Sequence, residues 1–353
     1  MKKFIQFHLL TSYPPSCLNR DDAGRVKTAI FGGATRIRIS SQSLKRAWRT
    51  SDLFQKRFEN HVGVRTRFMG VRAYDNLIAM GASEDLASET RKIIAGAFAK
   101  ENDKAGREGE SKQMVFFGAE EIAAIDEIVA QAAQSGLPPQ PADVTAIVRK
   151  TTTGVDLAAF GRMLSGSDNA LAGFSIDGAM SVANAITVHK AQVEDDFFTA
   201  VDDLQSRSEG DSGSGHMGDM SFGAGLFYVY GCLDTELLIK NLGGNVELAK
   251  AFAETILETM LTVGPQAKKN TFGSFAYSSF ALVEAGSAQP RNLSVAFLKP
   301  VGGTDQLQHA KSSLIETAEK LDRAYSSDVE RAVFDVDAGE TTLGDLKAFV
   351  SKD

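Results

Sequence analysis

The sequence predicts an α+β fold, a sheet packed by helices, and three observations lead there. Segments with the two-residue period of strands and segments with the 3.6-residue period of helices follow one another along the chain. No internal repeat organises them. At 353 residues, 43% hydrophobic and 24% charged, the chain has the composition of an ordinary globular protein and is long enough to bury a large core in more than one structural unit.

The elements follow in order. Residues 4–10 are apolar and strand-like, and a long loop with Pro14-Pro15 comes after them. Residues 35–40 alternate, which puts Arg36 and Arg38 on one face of a strand and Ile37 and Ile39 on the other. From residue 40 to 50 the period changes: Gln42, Lys45, Arg46 and Arg49 fall at i, i+3, i+4 and i+7, with Leu44, Ala47 and Trp48 opposite. That is an amphipathic helix with a basic face, and Ser40 or Ser41 is its N-cap. Residues 68–134 are helical in pattern, interrupted by a polar loop at 101–113. Mixed, strand-like patterning returns at 155–164 and 180–189, and residues 224–232 make a strong strand. After the Gly243-Gly244 break comes a helix at 247–261, then strands near 279–284 and 292–297 and a helix at 306–325.

Charge is sorted along this chain. The net charge is −7, yet residues 20–49 hold eight Arg or Lys against Asp21 and Asp22, a local +6. A basic stripe on an acidic body suits a polyanion held at one groove, the alternative being a solvated helix face. Strand and helix would deliver Arg36, Arg38, Lys45, Arg46 and Arg49 to one ridge, and the start of the helix could accept a phosphate. Lys268, Lys269 and Lys299 are further candidates for phosphate contact, each also readable as an ordinary surface lysine.

The segments LNRDD, AIFGG, RIRISSQSLKRA, VDLAAFGRM, DGAMSVANAIT and FFTAVDDL, in that order and spacing, resemble the backbone subunit of the type I-E CRISPR Cascade complex, the CasC family. The resemblance runs from about Phe4 to the C-terminus and is strongest in the first fifty residues and from Gly154 to Val229. It implies an RNA-recognition-like (ferredoxin-like) palm over 1–58, 181–192 and 224–353, a helical fingers insertion over 59–180 and a projecting thumb loop over 193–223. The carboxylates Glu194, Asp195, Asp196, Asp202, Asp203, Glu209 and Asp211 and a run of glycines in that last segment agree with a loop that cannot bury itself.

Carried over residue by residue, the resemblance implies crRNA contacts from Asn19, Arg20, Lys27, Arg36, Ser40, Ser41, Gln42, Lys45, Arg46 and Arg49. It also sets Arg162 toward phosphate and Met163 against a base. In the thumb it implies base contacts from Phe198, Thr199 and Met217. Anchoring of Phe197-Phe198 onto the subunit's own core is the alternative for that apolar island. Single-stranded RNA held without sequence preference requires this division between phosphate donors and side chains that use base faces. The implied partners are crRNA, the target DNA strand, the other Cascade subunits and further copies of the chain in a helical filament.

Other functions are poorly supported. His8, His61, His189, His216 and His309 are scattered, and no metalloprotease, zinc, Walker or nucleophile-elbow motif occurs, so no cofactor is expected. Gly213 to Gly218 satisfies G-x-G-x-x-G but follows a polar run, not a strand. The Asp21-Asp22 pair leaves open a metal-dependent ribonuclease cutting target RNA, against a salt bridge to Arg20 or Arg25 or an Asx turn. A monomeric RNA-binding module is a third possibility. Cys17 and Cys232 make no disulfide framework, no apolar run reaches spanning length, and the cytoplasm is the expected compartment.

Overall fold

The computed structural model describes residues 1–164, 171–200 and 216–352, apart from the side chains of Ala200, His216 and Met217. The chain divides into two compact units, one of residues 1–54, 182–232 and 254–353 and the other of residues 55–181 and 233–253.

The first unit begins with β1 (Phe4–Ser16), which continues through Pro14-Pro15 where a loop was expected. Then come β2 (Thr28–Phe31) and β3 (Ala34–Ile39), joined by Gly32-Gly33. Both glycines have positive φ, 59° and 73°, the requirement of a two-residue hairpin turn of type I′. α1 (Ser41–Arg49) buries Leu44, Ala47 and Trp48, as the sequence pattern requires, and the Trp48 indole donates to the Val263 carbonyl at 3.2 Å. α2 (Asp52–Arg57) follows.

The second unit is mainly helical. It contains β4 (Val64–Thr66), α3 (Met69–Ala79), α4 (Glu84–Phe98), β5 (Val115–Phe117), α5 (Ala119–Ser135), α6 (Pro141–Ala146) and α7 (Val155–Phe160). Leu77, Ile94, Phe98, Phe117, Ile125 and Val129 form its core, with the Phe98 and Phe117 rings edge to face at 4.9 Å. Residues 155–160 are helical where strand-like patterning was expected. A six-residue run of apolar and small residues has no period long enough to decide, and burial on both sides masks it further.

Past β6 (Met180–Val182) the first unit resumes with β7 (Ala185–Thr187), β8 (Glu194–Ala200) and the long β9 (His216–Asp234). α8 (Thr235–Asn241) belongs to the second unit, α9 (Val246–Thr262) begins in it and ends in the first, and the first unit continues with α10 (Lys269–Phe272), β10 (Ser278–Gly286), α11 (Gln306–Tyr325), β11 (Glu330–Asp335) and α12 (Leu343–Ser351). The strands assemble as one large sheet in the order β11-β10-β1-β9-β7-β3-β2, with β8 paired to β9. The β1–β10, β10–β11, β2–β3, β3–β7, β7–β9 and β8–β9 pairs are antiparallel. The expected strand at 292–297 is a 3₁₀ helix instead, Leu293–Phe297, because the Asn292 carboxamide accepts the Ser294 N–H at 2.8 Å and starts a turn.

One polar cluster lies inside this unit. The Leu293 N–H donates to the Tyr228 hydroxyl at 3.1 Å, and that hydroxyl shares a hydrogen bond with His8 Nδ1 at 2.9 Å. The other ring nitrogen, His8 Nε2, lies 3.4 Å from Glu284. Arg331 and Arg291 reach the same carboxylate at 2.7 and 3.1 Å, and both also pair with Asp322. Burial pushes the His8 imidazole below its usual range. Burial opposes charge on Glu284, yet His8, Arg331 and Arg291 hold its carboxyl down to about 2.

Both groups therefore bind protons less readily folded than unfolded, so their stabilisation is present above the unfolded values and is lost as pH falls. The Glu284 shift corresponds to about 3 kcal/mol lost progressively below pH 4.5. Resistance to urea should weaken from near pH 6.5 downward, and His8→Gln should flatten the profile between about pH 7 and 5. An unchanged profile in that variant would show that His8 does not bind its proton more weakly in the folded chain.

Candidate nucleic-acid interface

The basic ridge is assembled by hydrogen bonds between segments far apart in sequence. Between β1 and β2 the chain turns on Asp21, whose Oδ1 accepts the Ala23 N–H at 3.0 Å and the Arg25 N–H at 2.9 Å. This is an Asx turn, and it commits that carboxylate to the loop. Arg20 and Val26 form an antiparallel bridge across it, and the Val26 N–H donates to the Ser221 hydroxyl at 2.8 Å, tying the loop to β9. Arg20 and Arg25 are left exposed, with Arg25 3.9 Å from Asp195 on β8.

The start of α1 is closed in the same way. Ser40 is the N-cap, its hydroxyl accepting the Ser43 N–H at 3.3 Å. The Ser40 N–H donates to Asn19 Oδ1 at 2.9 Å, and the Ser41 N–H to Asn184 Oδ1 at 3.0 Å. Lys27 joins the assembly through its backbone, its N–H donating to the Asn19 carbonyl and its carbonyl accepting from Arg38, both at 2.8 Å. Three of the N–H groups a phosphate would use at this helix end already have partners within the chain. Anion binding at this ridge therefore falls to side chains. Gln42 and Arg46 are exposed, and Lys45, Arg49, Lys27 and Ser41 are half-buried.

Two expected phosphate contacts are corrected. Arg36 is fully buried, and its guanidinium donates to the carbonyls of Thr187 and Phe297, both at 2.8 Å. Desolvation lowers its pKa. Alternation along β3 put Arg36 and Arg38 on one face, but that face is covered over Arg36 by the Leu293–Phe297 turn. Arg162 lies in the second unit with its side chain 2% exposed. It donates to Glu121 at 2.5 Å, to the Phe116 carbonyl at 3.2 Å and to the Arg149 carbonyl at 3.2 Å. Neither guanidinium is available to an external phosphate.

Arg162 nonetheless shapes what its neighbour displays. Its backbone pairs with Ile176 through two 2.8 Å hydrogen bonds, and the Leu164 N–H donates to the Ser175 hydroxyl at 3.1 Å. Met163 sits between these two anchored residues with 76% of its surface exposed. An exposed methionine on a pinned backbone is an apolar knob, covered by none of the described residues.

In the expected thumb, residues 201–215 lie outside the described residues, and with them the first half of the G-x-G-x-x-G run. The flanking segments are an antiparallel ladder, Glu194 opposite Phe222 through Ala200 opposite His216, so strand continues where a loop was expected. Residues 194–199 are all exposed, so β8 is not packed onto its own core. Phe198 lies opposite Gly218, where an added Cβ would come within 2.7 Å of its ring, so the ring rests across the neighbouring strand. Phe197 faces the other side and is 67% exposed. Thr199 is exposed and pairs with Met217.

Residues Asn19 to Arg49 and Phe198, Thr199 and Met217 belong to one unit, and Arg162 and Met163 to the other. Sequence reasoning missed Asn184 and Ser221, which fix the ridge from 143 and 195 residues away. No local pattern could have marked them. Among the described residues no three His, Cys, Asp or Glu side chains converge as a metal-holding group, and no helix is long and apolar enough to cross a membrane.

Comparison with known proteins adds an independent line. The family model described as CT1975-like protein matches residues 5–350. A chain of a structure described as "CRISPR RNA-guided surveillance complex, pre-nicking" is 29% identical, superimposes with a TM-score of 0.83, and is aligned over 96% of this chain and 94% of its own. A chain of a second, "CRISPR RNA-guided surveillance complex", has the same fold with a TM-score of 0.72 at 24% identity, over 97% and 94% of the two chains. No curated protein matches the chain in sequence.

Arg162→Met should destabilise the second unit by about 3–5 kcal/mol, because it strands the buried Glu121 carboxylate. It should leave the salt dependence of RNA binding at the ridge unchanged. Chemical denaturation and salt titration check the two halves separately, and a flattened salt slope would return Arg162 to the phosphate.

Proposed function

This chain belongs to the CT1975-like protein family, and from that membership we propose that it is a non-catalytic backbone subunit of a CRISPR surveillance (Cascade) complex of type I-E. Copies assemble head to tail along the crRNA into a helical filament, beside the other Cascade subunits, in the cytoplasm. Each copy binds the RNA backbone without sequence preference and presents the bases for pairing with the target DNA strand. The reading takes the sheet-bearing unit as the palm, the helical insertion as the fingers, and the β8–β9 ribbon with residues 201–215 as the thumb. Its RNA-recognition-like topology is part of the proposal.

The observation that carries this reading is the pairing of an exposed cationic ridge with an exposed ribbon in one unit. Arg20, Gln42, Lys45, Arg46 and Arg49 offer donors to phosphates, as Lys27 and Ser41 do from the flanking backbone turns. Phe198, Thr199 and Met217 of an adjoining copy, together with Met163, supply surfaces that lie on base faces where the strand kinks. Kinks at intervals let guide and target pair in short segments on a preorganised strand, without continuous winding.

Co-purifying the chain with its nucleic acid and sequencing it tests the proposal: uniform repeat-flanked guide RNA is expected, and random cellular RNA would overturn it. Lys45→Ala with Arg49→Ala should weaken binding equally for all RNA sequences and reduce the salt slope by roughly 0.7 per lost phosphate contact. An unaltered slope would remove both from the phosphate path. Phe198→Ala should spare most RNA affinity and impair target pairing, at about 1–3 kcal/mol at most. With Mg²⁺ and complementary RNA the assembled protein should leave the RNA intact, and cleavage abolished by Asp21→Ala would replace the scaffold with a ribonuclease.

A further inference from the structure

We propose that the segment Lys268 to Tyr277 is a base-stacking platform that extends the cationic ridge and takes single-stranded RNA, the guide strand itself; this rests on the reading of the chain as a guide-binding subunit.

The segment connects α9 to β10 in the first unit, and it exposes its largest apolar side chains. Phe275 is 66% exposed and Tyr277 72% exposed. Residues 274–278 run buried, exposed, half-buried, exposed, buried, so the two rings share the outer side of the backbone while Ser274 and Ser278 face inward. The inner side is anchored: the Ser278 hydroxyl bonds Thr11 of β1 at 2.8 Å, and Ser274 N–H donates to the Lys269 carbonyl at 3.2 Å. Lys269 holds its ammonium 4.5 Å from the centre of the Phe275 ring. Two solvent-facing rings on an anchored backbone, one of them with a cation over it, combine the two parts from which sequence-tolerant single-strand sites are made.

The position of the segment selects the occupant. The Cys17 thiol is pushed up by burial and pulled back by the nearby charges of Arg20 and Lys268, with Asp21 opposing them. Lys268, exposed and in a left-handed conformation at φ 52°, opens α10, which packs against β1, the strand whose far end leads into Cys17 and Arg20. At the other end of α10, Phe272 packs against Phe222 with ring centres 6.2 Å apart, at the root of the β8–β9 ribbon. The platform thus lies between β1, which leads into Arg20, and the ribbon base, on a path whose cations suit a phosphate chain and whose rings suit its bases.

Tyr277→Trp gives the direct test, because the one natural tryptophan, Trp48, is buried and acts as a silent background. Adding single-stranded RNA of guide length should quench the emission of this variant, and adding complementary DNA afterwards should change it little. Quenching that appears only with the DNA strand would overturn the assignment in favour of the target, and no quenching with either would remove the platform. Phe275→Ala with Tyr277→Ala should weaken RNA binding between about five-fold and about a hundred-fold per stacked base, with the salt slope kept, since no charge is removed. Lys268→Ala should lower the slope by roughly 0.7. Unaltered affinity in the double variant overturns the proposal. Wild-type protein that binds no labelled RNA fails the guide-binding reading instead.

Discussion

The ridge depends on one constraint: the first backbone N–H groups of α1 must be satisfied, and they are satisfied by carboxamides delivered from β-strand ends far away in sequence. Asn19 closes Ser40 and Asn184 closes Ser41, while Ser40 caps the turn itself. An N-cap of this kind is worth about 0.5–2 kcal/mol, comparable with the whole margin by which single changes unfold a domain. Its larger effect is geometric. Once the helix start is fixed to β3 and to the residues before β7, the direction of Gln42, Lys45, Arg46 and Arg49 follows from the helical period alone. A polyanion at this surface meets side chains, whose contributions are screened by salt, more than it meets helix N–H groups.

Arginine does two different jobs in this protein, and burial separates them. Arg20, Arg25 and Arg46 are exposed, and their charge costs nothing to hydrate. Arg36 and Arg162 are enclosed and spend their forked donors on carbonyls, with Glu121 added for Arg162. A planar group with five donors can join several backbone segments at once, which a lysine ammonium does less well. Arg36 in this way holds the β2–β3 hairpin between β7 and the Leu293–Phe297 turn. The same residue type in the same thirty-residue stretch therefore serves the surface and the interior.

The β8–β9 ribbon shows a different balance. Its β8 strand has no buried face, and an isolated two-stranded hairpin is marginally stable in water. Ladder hydrogen bonds, the Phe198 ring laid over Gly218, the Val26 N–H on Ser221 and the Phe222 ring on Phe272 are among the contacts that hold it. Exposed aromatics on such a ribbon gain free energy only when something covers them, and a neighbouring copy with bound RNA is the cover the proposed assembly provides.

Much of the local structure could be read in the chain. The basic and apolar faces of α1, its serine cap, the alternation of β3 and the helix at 306–325 all follow from periods and caps within a few residues, and the structure has them. Short apolar runs at 155–160 and 293–297 were misread, because so few residues fit either period and a capping or packing contact decides between them. Sequence by itself determined which side chains share a face; it could not say which face is covered. That was decided by tertiary structure, which buried Arg36 and Arg162 and brought Asn184 and Ser221 to the ridge, since burial and hydrogen-bond partners depend on segments that meet only when the sheet closes.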